Sequence, residues 1–64
     1  MTPAEFDEIK ARLSLTDGQL AKWLGLSDPR AIRYYRSGER PISGPIARLM
    51  RAFDEGFVPP EFRD

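Results

Sequence analysis

Leu15-Thr16-Asp17-Gly18-Gln19-Leu20-Ala21-Lys22-Trp23-Leu24-Gly25 and, beyond residues 26–31, Ile32-Arg33-Tyr34-Tyr35-Arg36-Ser37-Gly38 decide the fold of this 64-residue chain. Thr16 and Gln19 stand three apart, as in a capping box. The Thr hydroxyl accepts from the amide of the third helical residue, and the Gln side chain reaches back to the cap. Leu20, Ala21 and Leu24 then fall on one side of a helix. Gly25 follows, where a left-handed cap is easiest for glycine. The spacing predicts a short helix over Thr16–Leu24 and a tight turn at Leu26-Ser27. Asp28-Pro29 reads as a new start, an acidic N-cap followed by proline at the first helical position, with Ser27 as the competing cap. This third helix is expected to run to Ser37 and stop at Gly38, with Glu39-Arg40-Pro41 as loop.

Working outward, Thr2-Pro3-Ala4-Glu5 is another capping box with proline inside it, and Phe6, Ile9 and Leu13 form an apolar stripe. A first helix is expected over Thr2–Leu13. Ser43-Gly44-Pro45 opens a fourth helix whose inward face is Ile46, Leu49, Met50 and Phe53, ending at Gly56. The prolines at 59 and 60 forbid a regular helix through Phe57–Phe62. No strand pattern or repeat interrupts this series. The expected fold is all-α, a compact bundle of four short helices over residues 1–56, with residues 57–64 as a C-terminal tail.

Composition narrows the chemistry. A chain this short buries only about 60% of the surface its unfolded form exposes, so one small core is the limit. There is no Cys and no His, which removes disulfides, thiolate metal sites and the commonest general base and metal ligand. No nucleotide loop or nucleophile–base arrangement is present. An enzyme is not expected, nor a cofactor or small-molecule ligand. Residues 1–5 have neither the basic nor the apolar region of a signal peptide. No apolar run approaches the roughly 20 residues that span a bilayer. A cytoplasmic location is expected, with no membrane partner.

The net charge is zero, yet the charges are sorted. Residues 29–51 carry Arg30, Arg33, Arg36, Arg40, Arg48 and Arg51 against Glu39 alone, a net of +5, while both flanking blocks are acidic. A polyanion responds to the local field. All six cations are Arg, whose planar fork suits phosphate and guanine. On a helix Arg30, Arg33, Tyr34 and Ser37 share one side, Ile32 and Tyr35 fall opposite, and Arg36 lies on the flank. Arg can bond O6 and N7 of guanine together. Tyr34 adds a hydroxyl and a ring, and Ala31 is small enough to let the backbone approach bases. The plainer alternative is a solvated charged face. For Arg48 and Arg51 that plainer reading is preferred, with Asp54 or Glu55 as their partners. Trp23, Phe6, Phe53 and Phe57 are read as core or interface rather than as a ligand pocket.

Two helices joined by a tight, Gly-containing turn outline a helix-turn-helix. From Leu15 to Phe53, about three-fifths of the chain, the sequence resembles the Cro/CI-type, or XRE, family of phage and bacterial repressors, with their lambda-repressor-like fold. The resemblance rests on Gln19-Leu20-Ala21, on Ile32 followed by Tyr35 and Ser37-Gly38, and on Arg40-Pro41 after the helix. Small phage-type regulators, including anti-CRISPR-associated repressors, are similar. One departure is an extra residue between Gly25 and Gly38, which leaves open whether Pro29 or Arg30 leads into a groove. The resemblance implies a nucleoid-associated regulator of transcription, a repressor acting on double-stranded operator DNA. It implies base contacts from Pro29, Arg30, Ala31, Arg33 and Tyr34. Phosphate contacts would come from Thr16, Asp17, Gln19, Lys22, Arg36, Ser37, Arg40 and Ser43.

One reading helix covers few base pairs, so a homodimer on a two-fold site is expected. Phe57, Val58 and Phe62 are the candidate dimerisation surface; in a monomer they would fold back on the core. The competing reading is a protein-interaction module, such as an antitoxin or adaptor, contacting its partner through Phe57–Phe62. RNA binding is the weaker third, because no aromatic stacking platform is evident.

Overall fold

Local hydrogen bonds set the helix starts in the computed structural model, which describes residues 1–63. Helix α1 spans Pro3–Leu13. Thr2 Oγ1 accepts from the Glu5 amide at 3.1 Å, and Glu5 Oε1 accepts from the Thr2 amide at 3.4 Å. Helix α2 spans Asp17–Trp23 with the same device: Thr16 Oγ1 accepts from the Gln19 amide at 3.1 Å, and Gln19 Oε1 from the Thr16 amide at 2.9 Å. Helix α3 spans Arg30–Ser37 and α4 spans Gly44–Asp54, the latter preceded by extended Ser43.

The start of α3 is one residue later than the sequence predicts. Pro29 already has helical angles, φ −63° and ψ −18°, and stands just before the first helical residue. Asp28 still caps: its Oδ1 accepts from the Arg30 amide at 2.9 Å.

The ends of α2 and α4 are built alike. After α2 the chain turns left-handed at Gly25, φ 76°, where a Cβ would be strained. The Gly25 amide then donates to the Lys22 carbonyl and the Leu26 amide to the Ala21 carbonyl, the pair of bonds of a Schellman cap. After α4 Gly56 takes φ 109°, and the Gly56 and Phe57 amides donate to Phe53 and Ala52.

Among the described residues the protein is all-α, four helices and a short 3-10 turn at Pro60–Phe62, with no strand. Helix α1 packs across both α3 and α4, and α2 packs on α3. Each helix contributes to one core: Phe6 and Ile9, Leu20 and Ala21, Ala31, Ile32 and Tyr35, Met50 and Phe53, with Leu24 from the turn after α2. Ile46 and Leu49 line its edge. Fully burying a side chain such as Phe6 or Ile32 stabilises by about 1.5–3 kcal/mol. Aromatic contacts knit the elements together. Phe6 meets Tyr35 at 5.5 Å, and Trp23 meets Phe53 edge-on at 5.3 Å.

The tail folds back onto this core. Phe57 stacks on Phe53 at 6.2 Å, Pro59 is buried, and Phe62 stacks on Trp23 at 5.9 Å. Arg63 Nε donates to the Val58 carbonyl at 2.7 Å and closes the loop. Phe57 and Phe62 still keep 39% and 38% of their surface exposed. Asp64, the last residue of the predicted tail, lies outside the described residues. No described helix is long and apolar enough to cross a membrane.

Candidate nucleic-acid interface

Helix α3 is divided lengthwise. Ala31, Ile32 and Tyr35 are buried, while Arg30, Arg33, Arg36 and Ser37 are exposed and Tyr34 is half-buried. The sequence assigned Ile32 and Tyr35 inward, and they lie there. Ala31 lies with them. Its methyl faces the core rather than the outer ridge, so any part it has in base contact is through its backbone.

The outer ridge is an Arg–Tyr–Arg cluster. The guanidinium of Arg33 sits 5.8 Å from the Tyr34 ring centroid and that of Arg40 5.2 Å from it, both within cation–π range. The cluster joins α3 to the loop after it. The Arg40 amide and Ser37 Oγ both donate to the Tyr34 carbonyl at 3.2 Å, and Ser37 Oγ accepts from the Glu39 amide at 3.3 Å. Among the described residues Arg33 and Arg40 form no ion pair.

The remaining two arginines of α3 are held by acids. Arg36 reaches Asp7 of α1 at 3.1 Å and Asp17 of α2 at 3.0 Å, and Asp17 also takes Lys10 at 3.2 Å. This network ties three helices together. Arg30 is gripped by Asp28. Its Nε lies 3.0 Å from Oδ2 and 3.2 Å from Oδ1, and its Nη2 lies 2.9 Å from Oδ2. These side-chain bonds, and then the backbone bond from Arg30, hold the Asp28 carboxyl below its ordinary value. Pro29 is exposed beside them, and an open depression of about 190 Å³ is lined by Asp17, Pro29, Arg30 and Arg33.

The candidate phosphate residues do not form one surface. The side chain of Gln19 is committed to the α2 cap and that of Asp17 to Lys10 and Arg36. Thr16 is committed to the same cap. Lys22 and Gln19 border a different groove, of about 340 Å³, with Leu15, Trp23 and Phe62. Ser43 is exposed and makes no side-chain cap bond.

Arg48 and Arg51 do not have the partners expected of them. Asp54 instead receives a two-pronged bond from Arg12, at 2.8 and 3.0 Å. The neighbour of Arg51 is a groove between α1 and α4 that it lines with Glu5 and Glu8. Sequence reasoning missed the Arg12–Asp54 pair because 42 residues separate its members. It also missed the grip of Asp28 on Arg30, although an acid two residues before an arginine at a helix start was there to be read.

The chain matches no protein-family model, no curated protein and no solved structure.

Proposed function

We propose that this chain is a sequence-specific double-stranded DNA-binding regulator of transcription, a repressor of its own operon that binds an inverted repeat as a homodimer. In this reading α2, the turn at residues 24–29 and α3 act as a helix-turn-helix of the Cro/CI kind, and α3 enters the major groove. The observation that carries it is the division of α3. Its inner side anchors it to the core, and its outer side offers Arg30, Arg33 and Tyr34 at helical spacing, with Arg40 behind them. Arginine forks match guanine O6 and N7, and the Tyr34 hydroxyl suits a phosphate or a base edge. Ser37 and Arg40, both bonded to the Tyr34 carbonyl, stand at the end of the ridge and supply backbone contacts, which position the protein without reading sequence.

Titration of labelled duplex DNA with the chain at a series of salt concentrations tests the reading. Binding that weakens steeply supports it, because each neutralised phosphate releases counterions with a log–log slope of about −0.9. A flat response, or no binding, contradicts it.

A protein-interaction module is the second reading, favoured by the exposure of Phe57 and Phe62 and by the apolar groove beside Trp23. The same tail is the proposed dimer contact. Sedimentation of the full chain and of a chain ending at Gly56 separates these roles. Loss of the dimer on truncation assigns the tail to self-association. A full chain that stays monomeric and binds a half-site at full affinity removes the dimer.

A further inference from the structure

We infer that Asp28 is a positioning residue that sets base specificity through Arg30, an inference that rests on the DNA-reading function proposed above. A guanidinium offers five N–H donors, arranged as a side-on pair, Nε with Nη2, and an end-on pair, Nη1 with Nη2. Asp28 occupies the side-on pair, at 2.9–3.2 Å. The end-on edge, Nη1 and the second N–H of Nη2, has no partner among the described residues, on a side chain that is 72% exposed. It is the pair a guanine would take with O6 and N7.

Two features make this more than a surface ion pair. Asp28 is itself fixed, because the same carboxylate accepts the Arg30 backbone amide at 2.9 Å. Acid and arginine are therefore held together at the start of α3, and this bond favours the rotamers in which the arginine would meet DNA. Preorganisation of this sort cuts the ordering cost of binding. The carboxylate is also a liability toward phosphate. An acid at the mouth of a DNA-binding helix repels the backbone of every sequence alike, and is offset only where a guanine accepts the fork it holds. Asp28 thus supplies both the attractive and the repulsive element that specificity uses. Arg33, free of any acid and stacked on Tyr34, lacks this device.

The test is selection of bound sequences from a pool of random-sequence duplexes by the full chain, by Arg30→Ala and by Asp28→Asn. Asn caps a helix as well as Asp does, so a role confined to capping leaves base preference untouched. Asp28→Ser, which also caps, is the second variant, and thermal melting followed by circular dichroism checks that each folds. The expected result is a position where the wild type enriches guanine and Arg30→Ala does not. At that position Asp28→Asn loses about tenfold of the preference, the order of a bidentate contact, while its affinity for the unselected pool rises. A uniform rise in affinity with the guanine preference intact overturns the inference and makes Asp28 a bulk charge only. Guanine preference that is independent of Arg30 also overturns it and leaves DNA reading standing. A wild-type chain that enriches no sequence removes the DNA-reading function itself.

Discussion

The two faces of α3 are both held in place but by different means. On the inner face Ile32 has no exposed surface and Tyr35 packs against Phe6, so position is enforced by close contact on every side. On the outer face position is enforced by charge and cation–π contact: Asp28 on Arg30, Asp7 and Asp17 on Arg36, and the Tyr34 ring on both Arg33 and Arg40. The inner face tolerates little change because a cavity left in a packed core cannot close. The outer face tolerates substitution in folding but not in recognition. Four arginines that look equivalent in sequence are thereby sorted into two that are tethered to acids and two that are not.

The largest effect is expected at Ile32. Ile32→Ala leaves a cavity beneath α3 and should cost about 2–5 kcal/mol, a large part of the stability of a domain this small. Chemical denaturation measures it. A loss below about 1 kcal/mol, where surface substitutions usually fall, would mean that the two faces are not divided as described.

Arg33→Ala is the matching change outside. It should leave the melting temperature unaltered and weaken binding to the selected DNA by about 1–3 kcal/mol. Unchanged affinity would take Arg33 out of the reading surface.

Acid should loosen the exposed ion pairs and helix caps before the core. Hydrogen bonds lower the carboxyls of Asp28, Asp54 and Glu5, from Arg30, from Arg12 and from Thr2 respectively. Each carboxylate is favoured in the folded state. Its stabilisation is present in full above the unfolded values, 3.8 for Asp and 4.5 for Glu, and is lost as pH falls through the lower folded values. Melting temperature should stay level near neutrality and fall below that range. Asp54→Asn should shrink the fall, and an identical acid profile in that variant would show that the Arg12 pair contributes nothing.

The smallest effect is expected at Arg36. Its pairs with Asp7 and Asp17 are partly exposed, and such pairs are worth about 0.2–1 kcal/mol. Denaturation of Arg36→Ala should show a loss within that range. A loss several times greater would make this edge part of the core scaffold.

Much of the inner face was legible because its signals are local. Thr2–Glu5 and Thr16–Gln19 are four-residue patterns, and both boxes form. Gly25, Gly38 and Gly56 mark turns that adopt positive φ. The stripe on α4 is inward as expected, with Met50 and Phe53 at its centre. What was not legible depends on contacts far apart in the chain. Nothing in the spacing of Arg12 and Asp54 announces their bond, and the Asp7–Arg36–Asp17 network needs three helices already in place. The tail is the same case. Pro59 and Pro60 announce a bend, but the seat of Phe62 on Trp23 is set by the shape of the finished core. On the outer face the arginines were found by type and period, while the acids that sort them were not.

The central claim is that the outer face of α3 is the surface that meets DNA. The most direct measurement is a two-dimensional NMR titration of the isotopically labelled chain with the selected duplex, following every backbone amide. The account predicts shifts concentrated at residues 29–40, with the largest at Arg30, Arg33, Tyr34 and Ser37, and little change at Met50 or Phe53. Shifts gathered instead around Leu15, Trp23, Phe57 and Phe62, or absent along α3, would contradict it.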